Sequence, residues 1–163
     1  MKMKAIFKSI FVCLTLVLGL SACNGKNEEM PATGGLDNAE KLIAGTYVGT
    51  WTKTNVTAGG EESSTGSITF AVDEELGNNV SVVTVNATES GFLSLDTNTS
   101  GCNVTRLSSG VLSYWNVYSL NPFGTEFTGK VSPEGVATMS FTKIVVVKRK
   151  ETEFLYSFTG TKQ

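Results

Sequence analysis

The stretch Phe127-Thr128-Gly129-Lys130-Val131-Ser132-Pro133-Glu134-Gly135-Val136-Ala137-Thr138-Met139-Ser140-Phe141 decides the fold. Phe127, Gly129 and Val131 alternate with Thr128 and Lys130, the period of a strand with one buried face. Ser132-Pro133-Glu134-Gly135 then reverses the chain. Proline presets φ for a turn, and glycine accepts the left-handed position after it. Val136 to Phe141 runs back with Ala137, Met139 and Phe141 on one face.

The same pattern continues outward. Ile144 to Val147 is apolar on both faces and reads as a central strand, and Lys148-Arg149-Lys150-Glu151 reads as a charged turn. Phe154, Tyr156 and Phe158 share one face of the last strand. Strands are expected near Thr46–Thr54, Ser67–Asp73, Asn79–Asn86, Gly91–Leu95, Cys102–Leu107, Val111–Leu120, Thr125–Val131, Val136–Thr142, Lys143–Lys148 and Thr152–Gly160. Gly, Thr, Ser, Val and Phe dominate, which suits strands better than helices. Consecutive hairpins make a meander, and long meanders tend to close. The expected fold is all-β: an antiparallel meander closing into a barrel of eight to ten strands. Closure pairs the first strand, with Trp51, to the last, with Phe154 to Phe158. In the rival, a two-sheet sandwich, those two strands are unpaired edges. One short helix is expected over Asn38–Ala44, capped by Asn38 and stopped by Gly45.

The N-terminus has a different composition. Lys2, Lys4 and Lys8 precede an apolar run from Ile10 to Leu20, the layout of a secretory signal. That run is shorter than the ~20 residues needed to span a bilayer. Leu20-Ser21-Ala22-Cys23 resembles a bacterial lipobox. The resemblance implies cleavage before Cys23, diacylglycerol on its sulfur and acylation of the new amine, hence a membrane partner through a lipid anchor. Asn24-Gly25-Lys26-Asn27-Glu28-Glu29 is loosely similar to the signal that sends lipoproteins of the Bacteroides type to the outer face of the outer membrane. The organisation expected is a lipoprotein signal peptide at 1–22, a flexible tether at 23–37 and one domain at 38–163.

Removing the signal takes three lysines with it and leaves 10 basic residues against 15 acidic. With no basic stripe, nucleic acid is not expected as a partner. Cys102 is the one cysteine outside the signal and lipobox, and it reads as a small buried hydrophobe. The chain has no histidine. A Ser–His–acid triad, a Cys–His nucleophile and a His-based metal site are therefore excluded. Glu61-Glu62 and Asp73-Glu74-Glu75 are adjacent acids in expected turns, not carboxylates facing across a cleft. No enzyme activity, catalytic residue, metal or cofactor is expected.

A short helix leading into Gly-x-aromatic on the first strand of a meander looks like the calycin (lipocalin-like) family. Two frames compete: Gly45-Thr46-Tyr47 and Gly49-Thr50-Trp51, of which only the second has the family's tryptophan. The opening Ala44-Gly45-Thr46-Tyr47-Val48-Gly49-Thr50-Trp51 is similar to that of calycin-like lipoproteins of the Bacteroides type. The resemblance implies that Trp51 plugs the closed end of the barrel under a late-strand arginine, for which Arg149 or Arg106 are the candidates. It also implies an interior that binds a small hydrophobic ligand. Phe70, Arg106, Tyr114, Trp115, Phe127, Met139 and Phe158 are the expected ligand-binding residues, with Arg106 and Tyr114 or Tyr156 placed to hold a carboxylate. The alternative is a filled barrel or sandwich used as a surface module for glycan, host or another envelope protein. It would bind through loops such as Gly59–Gly66 or Asp96–Gly101.

Overall fold

The computed structural model describes residues 38–116 and 118–163. Cys23, the signal and the tether lie outside the described residues. Helix α1 (Ala39–Ile43) leads into eight strands: β1 (Gly45–Asn55), β2 (Glu61–Val72), β3 (Val80–Ala87), β4 (Thr99–Arg106), β5 (Leu112–Trp115), β6 (Phe127–Val131), β7 (Val136–Val147) and β8 (Lys150–Lys162). Each pairs antiparallel with its sequence neighbour, and β1 pairs with β8, so the ring is closed. Trp51 stands opposite Phe158, as closure requires. The sandwich is ruled out because it leaves those strands unpaired.

The opening stretch forms the hairpin its pattern demands. Phe127, Gly129 and Val131 of β6 face inward, opposite Phe141, Met139 and Ala137 of β7. Gly135 takes φ +81, and its N–H donates to Ser132 O at 2.9 Å. Gly129 is needed for another reason. The Tyr114 ring fills the space where a side chain would begin, so a Cβ there would lie 2.3 Å from the phenol carbon and 2.2 Å from Thr138 O.

The expected strands differ in places. Val111–Leu120 keeps only Leu112–Trp115 as β5, and Tyr118–Leu120 is a 3-10 turn. Gly91–Leu95 is a turn within the loop 88–98, and Phe92 and Leu93 are buried because this loop folds over one mouth of the barrel. Thr142 and Lys143 do not separate two strands: β7 runs unbroken from Val136 to Val147. Nor is its second half central. Beyond Phe141 it pairs with β8 alone, and Ile144 and Val146 are 60% and 68% exposed. The turn of this ribbon is Lys148-Arg149, both left-handed with φ 51 and 68.

Helix α1 covers the other end, but Asn38 does not cap it through its side chain. Asn79, at the start of β3, does so instead: its Oδ1 accepts from Ala39 N at 3.2 Å, and its own N–H donates to Glu40 Oε2 at 3.1 Å. This exchange satisfies a helix-end donor and explains why Glu40 is buried.

Candidate functional site

The expected interior residues separate into two sets. Phe70, Tyr114, Phe127, Met139 and Phe158 are all buried and share one core with Tyr47, Trp51, Phe141 and Tyr156. Their rings meet each other. Phe70 and Tyr114 centroids lie 4.8 Å apart edge to face, Trp51 and Phe158 lie 5.0 Å apart, and Phe141 stacks on Tyr156 at 4.8 Å. Such contacts fill an eight-stranded barrel as a core. The Tyr114 hydroxyl is engaged as well, donating to Thr138 O at 2.6 Å. Burial pushes that phenol well above its ordinary pKa, helped by the proximity of Cys102 and Tyr47. Cys102 is a buried thiol, pushed up to about 12 by desolvation, while a backbone hydrogen bond at Ser81 acts the other way.

Trp115 and Arg106 do not face this interior. Trp115 follows Tyr114 directly, so a pleated strand sends it to the opposite face, where it is 39% exposed. Arg106 shares the inward parity of Cys102 and Val104 but comes last in β4, and it emerges exposed at the helix-covered rim. It lines a hollow of about 300 Å³ with Tyr47, Leu112, Val131 and Lys162, and it meets neither Tyr114 nor Tyr156 as a carboxylate clamp. Arg149 lies in the ribbon turn, not over Trp51. The aromatic at the helix-covered end is Tyr47, whose hydroxyl donates to Ile43 O at 2.9 Å, and the cation over its ring is Lys162, 5.7 Å from the centroid. Of the two competing frames, Gly45-Thr46-Tyr47 therefore occupies that end. Trp51 sits deeper, donating to Asn86 O at 3.1 Å. The loops proposed for partners also shift: Glu61–Gly66 belongs to β2 and Thr99–Gly101 to β4.

Outside the barrel, Trp115 borders a groove of about 570 Å³. Register builds its floor. Trp115 stands opposite Thr128, Thr128 opposite Ser140, and Thr142 opposite Leu155, all on outward-facing positions. The segment before β6 makes one wall. Asn116 is buried beneath it, with Oδ1 accepting from Phe127 N at 2.7 Å and Nδ2 donating to Thr125 O at 3.4 Å. The Thr125 hydroxyl donates to Thr142 O at 2.6 Å and ties that wall to β7. Among the described residues, Glu126 is the one charged residue in the lining. The groove thus offers a half-exposed indole, a row of hydroxyls and one carboxylate on a braced floor. Adjacent Tyr114 and Trp115 already carried the signal that identifies it, since only one of two neighbouring strand residues faces inward.

Compared with known proteins, the chain matches no family model and no curated sequence.

Proposed function

We propose that this chain is a lipid-anchored, non-catalytic envelope module that binds its partner on the outside of a filled barrel, at the groove beside Trp115. The observation that carries this reading is the interior: the rings expected to line a ligand cavity pack against one another instead. The chemistry of the groove favours a neutral saccharide. An exposed indole stacks on the C–H face of a sugar ring, and Thr128, Ser140 and Thr142 supply hydroxyls for exchange with its polar groups. A lone carboxylate without a facing cation disfavours anions.

The test uses the two tryptophans, one buried and one exposed. Titration with cellotriose, maltotriose, laminaritriose or mannotriose is expected to change the emission of the exposed indole, and Trp115→Ala is expected to remove the change. No response to any of the four at millimolar sugar, or a response that survives Trp115→Ala, sinks the saccharide reading. The anchor is tested separately. Cys23→Ser is expected to abolish labelling by a radiolabelled fatty acid and release the protein from the membrane fraction. A mutant that still labels removes the lipobox reading.

One observation favours a second reading, an apolar ligand held inside. The Tyr156 hydroxyl is buried without a hydrogen-bond partner, and its ring lies 6.4 Å from Phe92 of the loop over the mouth. Outward movement of loop 88–98 would open a space with this donor in its wall. Saturable binding of a fluorescent fatty-acid probe, lost in Tyr156→Phe, would establish that reading over the first.

A further inference from the structure

The half of β7 that leaves the barrel has a free edge, and we infer that a second copy of this chain pairs with it. Two ribbons join antiparallel along β7, about a two-fold axis at Val145. The direction of the backbone groups fixes this geometry. Ser132 N donates to Val136 O, and the Thr125 hydroxyl donates to Thr142 O, both from the β6 side. Alternate strand residues share a side, so Ile144 and Val146 also point N–H and C=O away from β8. Among the described residues, β8 is the only strand paired with this part of β7.

Antiparallel pairing sets edge-facing residues opposite each other. With the axis at Val145, Ile144 meets the partner copy's Val146 and the reverse, giving four main-chain hydrogen bonds. The other registers fail for stated reasons. An axis between Val145 and Val146 opposes Lys143 to Lys148 and sets edge-facing residues against ones that face away. An axis at Ile144 needs Thr142 O, which already accepts from Thr125. An axis at Val146 needs Lys148, whose φ of 51 takes it out of the strand. In the remaining register Lys143 meets Val147 and Lys148 meets Thr142, so no like charges face each other. Ile144 and Val146, now 60% and 68% exposed, join their symmetry mates in one apolar patch. An isologous contact of this kind closes at two copies. It is small beside the ~1,200 Å² of a stable interface, so the inference rests on the lipid anchor proposed above, which would concentrate copies on a common surface.

Site-specific cross-linking of the full chain in the envelope tests the pairing. Residues opposed across a non-hydrogen-bonded antiparallel site have Cβ atoms ~4.5–5.5 Å apart, close enough for a disulfide after small adjustment. With copper phenanthroline added as oxidant, Val145→Cys is expected to give a disulfide dimer about tenfold above the parent, whose Cys102 is buried. Val147→Cys, ~13 Å from its symmetry mate, is expected to stay near the parent level. Adding Val146→Pro, which removes an edge N–H, is expected to return Val145→Cys to the parent level. Val146→Lys, which keeps the backbone and replaces the apolar contact by repulsion, is expected to do the same. No dimer from Val145→Cys overturns the inference. So does equal cross-linking at 145 and 147, which is random collision, or a stronger dimer from Ile144→Cys, which is another register.

Discussion

The two halves of β7 make an instructive contrast. Val136–Phe141 alternates apolar and polar residues, and its Ala137, Met139 and Phe141 are buried. Ile144–Val147 is the more apolar half and is largely exposed. Both halves pair with β8, and hydrophobicity does not separate them. What separates them is a third strand: β6 covers the first half and ends before the second. A strand is buried by what packs over its face and along its edge, and a two-stranded ribbon supplies neither.

The sharpest way to break this contrast is to compare truncations three residues apart. Phe141→Ala removes a ring packed on Tyr156 and Trp51 and is expected to cost about 3–5 kcal/mol in urea unfolding. An effect near zero would mean that the barrel core is not what holds the fold. Next comes Gly129→Ala, which drives a methyl group against Tyr114 and Thr138 O; about 3 kcal/mol is expected. A neutral result there would show that Tyr114 is free to move. Alkali sharpens the barrel side further. Cys102 is raised from 9.0 to about 12, so folding favours the neutral thiol. That stability is fully present below pH 9 and is lost as pH rises towards 12, amounting to about 2 kcal/mol by pH 10.5. Cys102→Ala should flatten the fall of the urea midpoint between pH 8 and 10.5, and an unchanged slope would assign it to other groups. On the ribbon side, Lys148-Arg149 holds two left-handed residues without glycine or asparagine. Replacing the pair by Asn-Gly is expected to stabilise the chain by about 1 kcal/mol, provided the ribbon unfolds with the barrel. No gain would mark the ribbon as a unit that frays by itself. Smallest of all, Ile144→Ala is expected to change stability by no more than about 0.5 kcal/mol in the monomer.

The barrel was readable because its hairpins are local. Ser132 to Gly135 sets a turn, and the alternation on either side sets which face is buried. Closure followed from the number of such hairpins. The exposed ribbon was not readable, because a run apolar on both faces looks the same with two neighbours as with one, and the length of β6 is what decides. Gly91–Leu95 misled for a related reason: Phe92 and Leu93 are apolar because a loop tucks them over the mouth, not because a pleat alternates them. The candidate groove was half legible. Parity places Trp115 outside once Tyr114 is inside, but the wall at Thr125 depends on the buried Asn116 amide, whose partners lie 9 and 11 residues away.

Closure by β1 and β8 also determines how the domain answers to force. Tyr47 is paired with Lys162, and Gln163 N donates to Thr46 O, so the first and last strands begin and end at the same rim. Tension applied through both chain ends therefore opens β1 from β8 one rung at a time, as a zipper. It does not shear all nine pairs of that ladder together. The barrel is mechanically soft along the line joining its termini, however firm its aromatic core makes it against urea. The same proximity makes that seam a natural place to join the ends and cut a new pair elsewhere.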